Sequence, residues 1–249
     1  MGFWPIVLNV LRNSDVILLL VDARMPEITR NSEIVEKANK MKDKRLIFVF
    51  NKSDLVGRKD INKLKKDYPN SFFISATKKI GVGKLKTTLE NMAENWNRES
   101  LRVGLVGYPN IGKSTLINLL APGAKAKVSS MSGTTKKIQW VRVGKLRIMD
   151  SPGIIPFGDK KVQVGMTASK DPHKIKNPEK VALRIIDFLM KKDVKLLKKY
   201  YKATGKDEYE IFENIGKSMG YLVKGGEVDE NRIAIKVIDD WQKGRIKLK

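Results

Sequence analysis

Cysteine is absent from the 249 residues, which excludes disulfides, thiolate metal sites and cysteine nucleophiles together. Histidine occurs once, as His173, so His-cluster metal centres and paired-His acid–base chemistry are excluded as well. A serine triad would have to draw on that single ring, and no G-x-S-x-G turn accompanies it. Long apolar runs are also missing. The longest candidate, Val16–Val21, is bounded by Asp15 and Asp22; it falls far short of the roughly 18 residues that cross a bilayer and fits a buried strand. The opening stretch MGFWPIVLNVLRNSD lacks a basic n-region and a small-residue cleavage site, so no signal peptide is expected. A soluble cytoplasmic protein is expected instead.

Acidic residues are scarce: 27 Asp+Glu face 50 Lys+Arg, for a net charge of +23. The excess is spread along the chain, with 28 basic and 13 acidic residues up to Gly153 and 22 and 14 after it. Such a field attracts polyanions, structured nucleic acid above all; a solubilising surface is the plainer reading. A hydrophobic fraction of 41% and a charged fraction of 31% describe a globular chain. The length allows one large domain or two smaller ones.

Up to Gly153, short apolar runs alternate with amphipathic stretches. Strands are expected at Val16–Val21, Leu46–Phe50, Phe72–Ile74 and Leu101–Val106, with a hairpin of Ile138–Val143 and Leu146–Met149 around Gly144. Helices are expected at Ser32–Lys42, Lys59–Lys66, Val82–Trp96 and Lys113–Leu120. This alternation predicts an α/β fold with a mostly parallel, six-stranded sheet covered on both faces. Ile154–Pro178 is rich in Pro, Gly and Lys and reads as a linker. Helical periodicity then returns in Glu179–Met190, Asp193–Tyr201, Glu208–Met219 and Glu230–Lys243. The expected organisation is an α/β domain over 1–155, a linker over 156–177 and a small all-α domain over 178–249.

GYPNIGKS, Gly107 to Ser114, matches G-x-x-x-x-G-K-[ST] between a predicted strand and a predicted helix. Its glycines let backbone amides turn toward phosphate oxygens, and the helix N-terminus adds partial positive charge. Asn110, Ile111, Gly112, Lys113, Ser114 and Thr115 are the expected phosphate contacts. Lys113 would reach the β- and γ-phosphates, and the Ser114 hydroxyl would ligate Mg²⁺.

NKSD, Asn51 to Asp54, follows the strand LIFVF, at the edge where open α/β sheets bind ligands. A carboxylate there accepts from both N1–H and the N2 amine of guanine. Adenine has no such donor pair, which would leave the charge unpaired. The Lys52 stem would lie along the base plane. SAT, Ser75, Ala76 and Thr77, ends the next strand and would present an amide to the guanine carbonyl. DSPG, Asp150 to Gly153, ends the strand LRIM. In such an element the Asp holds Mg²⁺ through water and the Gly153 amide meets the γ-phosphate. SGTT, Ser132 to Thr135, lies in a loop able to close a Thr hydroxyl onto Mg²⁺.

The order is unusual: NKSD and SAT precede the phosphate loop, SGTT and DSPG. In this order, and in VDARMPEITRN (Val21–Asn31), IQW (Ile138–Trp140) and KSMGYLVKGGEVD (Lys217–Asp229), the chain resembles the circularly permuted GTPases of the YlqF/RbgA type, which act in ribosome biogenesis. The resemblance implies a GTPase acting on a large ribosomal subunit precursor, with a C-terminal helical domain contacting rRNA; a monomer is expected, and no membrane partner, since no lipidation motif is present. It favours Thr135 over Thr134 as the Mg²⁺ ligand, places Lys113, Thr135 and Gly153 in the hydrolytic centre, and matches Asn110 to a K⁺ ligand of potassium-stimulated relatives.

Ile154 stands where small signalling GTPases place a water-orienting Gln, as it does in that family. Relatives often carry a Pro-Gly-His segment near the N-terminus; here Trp4-Pro5 stands alone and no His precedes His173. Slow intrinsic hydrolysis is therefore expected, well below about 10⁻² s⁻¹. A GTP-gated RNA-binding adaptor is the second reading, and a P-loop ATPase or kinase, which NKSD opposes, the third.

Overall fold

A computed structural model describes residues 4–123, 139–153, 165–167 and 170–249. The chain divides into two compact units, Met1–Gly158 and Asp159–Lys249.

Unit one is built on a six-stranded sheet of β1 (Val16–Asp22), β2 (Arg45–Asn51), β3 (Phe72–Phe73), β4 (Leu101–Gly107), β5 (Gln139–Val143) and β6 (Leu146–Asp150), in the spatial order β3-β2-β1-β4-β6-β5. All neighbours pair in parallel except β5 and β6, which form the antiparallel hairpin. The parallel strands therefore end at one edge, and Asp22 stands beside Asn51 in register. Strand order reverses between β1 and β4, where the crevice of an open α/β sheet takes its ligand.

β1 is buried along its whole length, and its side chains divide between two cores because successive residues face opposite ways. Val16, Leu18 and Leu20 meet α5 (Val82–Asn95) and α6 (Lys113–Leu120) through Leu85, Leu89, Leu116 and Leu120. Ile17, Leu19 and Val21 meet α1 (Trp4–Asn13), α3 (Ser32–Asn39) and α4 (Arg58–Asp67) through Val7, Val10, Leu11, Ile34 and Leu64. The short α2 (Pro26–Thr29) starts at a proline, whose missing N–H costs nothing in a first turn. Neither α1 nor α2 is anticipated by the strand–helix alternation read from sequence. α1 packs so closely on β4 that a Cβ at Gly104 would fall 2.2 Å from Ser14 Oγ and 2.8 Å from Val10 Cγ1.

Unit two is built, among the described residues, on α7 (Pro178–Asp193), α8 (Lys195–Tyr201), α9 (Glu208–Met219) and α10 (Glu230–Gln242), with a 3₁₀ turn at Pro172–Lys174 ahead of α7. Asp207 caps α9 by accepting from the Tyr209 and Glu210 amides, and Asp229 caps α10 by accepting from Arg232 N. Ile185, Ile186, Leu197, Ile211, Ile215, Val237 and Trp241 form its core. Within the expected 156–177 linker, residues 165–167 are buried in this unit: Trp241 Nε1 donates to Met166 O at 3.1 Å and Gln242 Nε2 to Gly165 O at 2.8 Å. A Pro, Gly and Lys composition hides such anchoring, because the partners are backbone carbonyls.

Candidate nucleotide site

The phosphate-loop segment leaves β4 with Gly107 at φ +146, Asn110 at φ +54 and Gly112 at φ +108. Gly112 is the residue before α6. Left-handed residues placed this way at a helix start turn successive N–H groups toward one concavity. Gly107 and Gly112 also have no room for a side chain: a Cβ would lie 2.7 Å from Leu20 O and 2.3 Å from Asn51 Nδ2, respectively. Lys113 is buried, and its ammonium donates back to the carbonyls of Gly107 at 3.1 Å and Tyr108 at 2.8 Å, which closes the loop on itself. Ser114 and Thr115 are half-buried in the first turn of α6, and Asn110 is exposed at the rim.

NKSD meets this loop through Asn51. Its Nδ2 donates to Ile111 O at 2.8 Å, while its Oδ1 accepts from Lys52 N at 2.8 Å and Ala76 N at 3.0 Å. The phosphate loop, NKSD and SAT are thus tied together by one buried amide. Sequence reasoning places Asn51 against the ligand; in the fold its side chain braces the motifs.

Asp54 lies in a short 3₁₀ turn after Lys52, and its carboxylate is 3.2 Å from Lys78 Nζ. Burial would raise the Asp54 pKa, but the Ser75 hydroxyl and the Lys78 ammonium outweigh it and hold the group below the usual carboxylate range. It is therefore an acceptor-only group at neutral pH, the form that pairs with two donors. Ser75 and Ala76 are buried and Thr77 is exposed, with the Ser75 and Thr77 hydroxyls 3.3 Å apart.

DSPG reaches the same edge. Ser151 Oγ donates to Leu105 O at 2.6 Å, pinning the end of β6 to β4. Gly153 then passes so close to the phosphate loop that a Cβ would fall 2.4 Å from Pro109 Cα. The backbone of Asp150 ends β6. Thr135, with SGTT, lies outside the described residues.

Sequence reasoning missed Asp22 and Arg24, although both stand in VDARMPEITRN. Asp22 is buried at the end of β1, 2.8 Å from Arg24 and 3.0 Å from Lys52 Nζ. Burial opposes its charge, yet Arg24 and Lys52 hold its carboxyl far below the usual range. An ionisable pair directly after a buried strand was the available signal.

The RsgA GTPase family model matches residues 8–159, and the 50S ribosome-binding GTPase model matches residues 102–218. An uncharacterized GTP-binding protein of Methanocaldococcus jannaschii is 38% identical over 97% of this chain and 65% of its own length. Nucleolar GTP-binding protein 2 of Saccharomyces cerevisiae is 32% identical over 98% of this chain and 52% of its own. The chain thus spans about half to two thirds of such relatives. Among solved structures, YlqF from T. maritima bound to GNP superposes with a TM-score of 0.66 at 21% identity, covering 98% of this chain and 95% of that one. The GDP-bound form gives a TM-score of 0.63 at 20% identity, covering 97% and 95%. That likeness shows a shared fold. The order of motifs, the convergence of NKSD, SAT, the phosphate loop and DSPG on one sheet edge and the family match make the chain a circularly permuted GTPase of the RsgA GTPase family, with the YlqF-type fold.

Proposed function

We propose that this chain binds GTP, hydrolyses it slowly to GDP and phosphate, and serves large ribosomal subunit assembly through contact with rRNA. The observation that carries the reading is the Asn51 brace, which holds the carboxylate-bearing NKSD turn against the phosphate loop at 2.8 Å. A purine read by Asp54 and a triphosphate held at Asn110–Thr115 then belong to one ligand. The donor set suits a nucleotide: Lys113 at the phosphates, the Ser114 hydroxyl for Mg²⁺, and Gly153 abutting Pro109 with no space for a side chain. Asp150 and Thr135 would complete the Mg²⁺ shell, and Asn110 a K⁺ site. Bound Mg²⁺ would neutralise charge on the β- and γ-phosphates as water attacks the γ-phosphorus.

The rRNA contact is supported by unit two. Lys191, Lys192, Lys195, Lys198, Lys199 and Lys202 are exposed along the end of α7 and through α8, with Val194 47% and Tyr200 38% exposed among them. Clustered ammonium groups neutralise phosphates, and an exposed ring offers a stacking surface. No helix among the described residues is long and apolar enough to cross a membrane. We place the chain in the cytoplasm as a monomer; the yeast relative's name is nucleolar.

GTP turnover measured with and without large ribosomal subunits, in KCl and in NaCl, tests this reading. Stimulation by subunits or by K⁺ supports it, and identical rates in all four conditions would sink it. If Lys113→Ala abolishes turnover yet leaves nucleotide-dependent RNA binding intact, the chain is an adaptor whose hydrolysis is incidental.

A further inference from the structure

Asp22 and Arg24 lie outside every motif that touches nucleotide in the reading above, yet they form a buried ionic cluster at its edge. Asp22 is 1% exposed and the Arg24 side chain 0%. Asp22 Oδ1 accepts from Arg24 N and Nε, both at 3.0 Å. Oδ2 accepts from the terminal Arg24 nitrogen at 2.8 Å and receives the Lys52 ammonium at 3.0 Å. The turn carrying them is fixed independently. Asp22 N donates to Thr29 Oγ1 at 2.9 Å, that hydroxyl donates to Met25 O at 2.9 Å, and Ala23 N donates to Asn51 O at 2.9 Å.

Burying three ionised groups is expensive, and apolar packing generally stabilises a strand end as well or better. The cluster therefore calls for a purpose beyond stability. Its geometry supplies one. Lys52 leaves the backbone in the left-handed region at φ +60, and its ammonium is held at the end of β1. The four-carbon stem must then run across the gap between the ends of β2 and β1. A lysine free in solvent loses considerable rotamer freedom when a ligand settles on it; one already tethered at both ends does not. The planar Arg24 fork fixes the carboxylate by two parallel bonds and so fixes where Lys52 is held.

We infer that Asp22 and Arg24 are positioning residues of the nucleotide site. Arg24 orients the Asp22 carboxylate, Asp22 anchors the Lys52 ammonium, and the anchored stem is a preformed platform for the flat face of the base. The inference rests on the guanine-site reading and deepens it. A platform contacts the ring face and ignores the ring's hydrogen-bonding edge. Its loss weakens guanine and hypoxanthine nucleotides by the same factor, whereas loss of Asp54 weakens guanine more.

The test is a set of direct titrations with GDP and IDP on the parent chain, Asp22→Asn, Arg24→Lys, Lys52→Met and the double variant Asp22→Asn/Lys52→Met. Asp22→Asn and Arg24→Lys are each expected to weaken both nucleotides about five- to tenfold, the scale of freeing one long side chain, with the GDP-to-IDP preference unchanged. In the Lys52→Met background, Asp22→Asn is expected to cost less than about twofold more. An equal loss in both backgrounds, a changed GDP-to-IDP preference, or an unchanged GDP affinity in Asp22→Asn overturns the inference. If Asp22→Asn does not fold, Arg24→Lys combined with Lys52→Met closes the same cycle. A parent chain that binds no GDP refutes the guanine-site reading and this inference with it. A parent chain that binds GDP, with variants whose effects simply add, refutes this inference alone.

Discussion

The amide nitrogen of Asn51 donates to the carbonyl of Ile111 across 2.8 Å, joining positions 60 residues apart. One end of that amide holds the phosphate loop, and the other holds the Lys52 and Ala76 backbone amides. In Asn51→Ala, the buried Ile111 carbonyl and Ala76 amide and the half-buried Lys52 amide lose this partner. Leaving such groups unsatisfied costs about 1–3 kcal/mol each, so chemical denaturation is expected to show a loss of at least about 2 kcal/mol. GDP affinity is expected to fall more than about tenfold, because the purine and phosphate subsites lose their shared register. Unchanged affinity in a folded Asn51→Ala chain would show that the brace is dispensable.

Gly153 allows a second prediction. Adding one methyl drives a Cβ to 2.4 Å from Pro109 Cα and 2.5 Å from Pro109 N. These are backbone atoms of the phosphate loop and cannot swing aside as a side chain would. Gly153→Ala is expected to destabilise the chain by about 1–3 kcal/mol and to lower GTP turnover at least about tenfold. Turnover at the parent rate would place the γ-phosphate elsewhere.

Of these features, the sheet was the most legible from sequence. VILLLV and LIFVF read as strands because each is a short, β-branched or aromatic-containing apolar run bounded by polar residues. The phosphate loop, NKSD, SAT and DSPG were legible because each follows a strand, and the fold brings those strand ends to one edge. α1 was not legible. Its stripe of Val7, Val10 and Leu11 is short, and the feature that receives it is a gap at Gly104 on a strand far along the chain. A glycine inside a strand is the available hint. The Asp22–Lys52 pairing was hidden for a similar reason: Asp22 ends β1 and Lys52 directly follows β2, and only the parallel register of those two strands makes them neighbours.

Acid sensitivity follows from the carboxylates. Burial opposes the charge of Asp15, Asp22 and Asp54, but hydrogen bonds and cations outweigh it, and all three titrate below their ordinary value. A carboxyl whose folded pKa lies below its unfolded one contributes stability that is complete above the unfolded value, about 4, and is lost as pH falls through the folded value. Denaturation midpoints are expected to be flat from about pH 7 to 5 and to drop below about 4. In Asp15→Asn, which keeps Arg102 as a neighbour without the ion pair of 2.7 Å, the decline is expected to be shallower. An equally steep decline would assign the effect to other groups.

The lysines of α7 and α8 give a salt-dependence prediction. Replacing Lys195, Lys198 and Lys199 by Ala removes three exposed charges. If each meets a phosphate, the slope of log affinity for RNA against log salt falls by about 0.7–0.9 per lysine, while GDP binding stays at the parent value. RNA affinity measured from low to moderate KCl reads this directly. A slope equal to the parent's would remove α8 from the RNA interface.

Calorimetric titration of GDP, ADP and XDP into the parent chain and Asp54→Asn addresses the purine site most directly. An Asn amide can donate to the C2 carbonyl of xanthine where a carboxylate only accepts. The parent is expected to bind GDP with saturable heat and to ignore ADP and XDP, and the variant to lose GDP and gain XDP. Saturable binding of ADP by the parent, or GDP affinity unaltered in Asp54→Asn, would contradict a guanine site at residues 51–54.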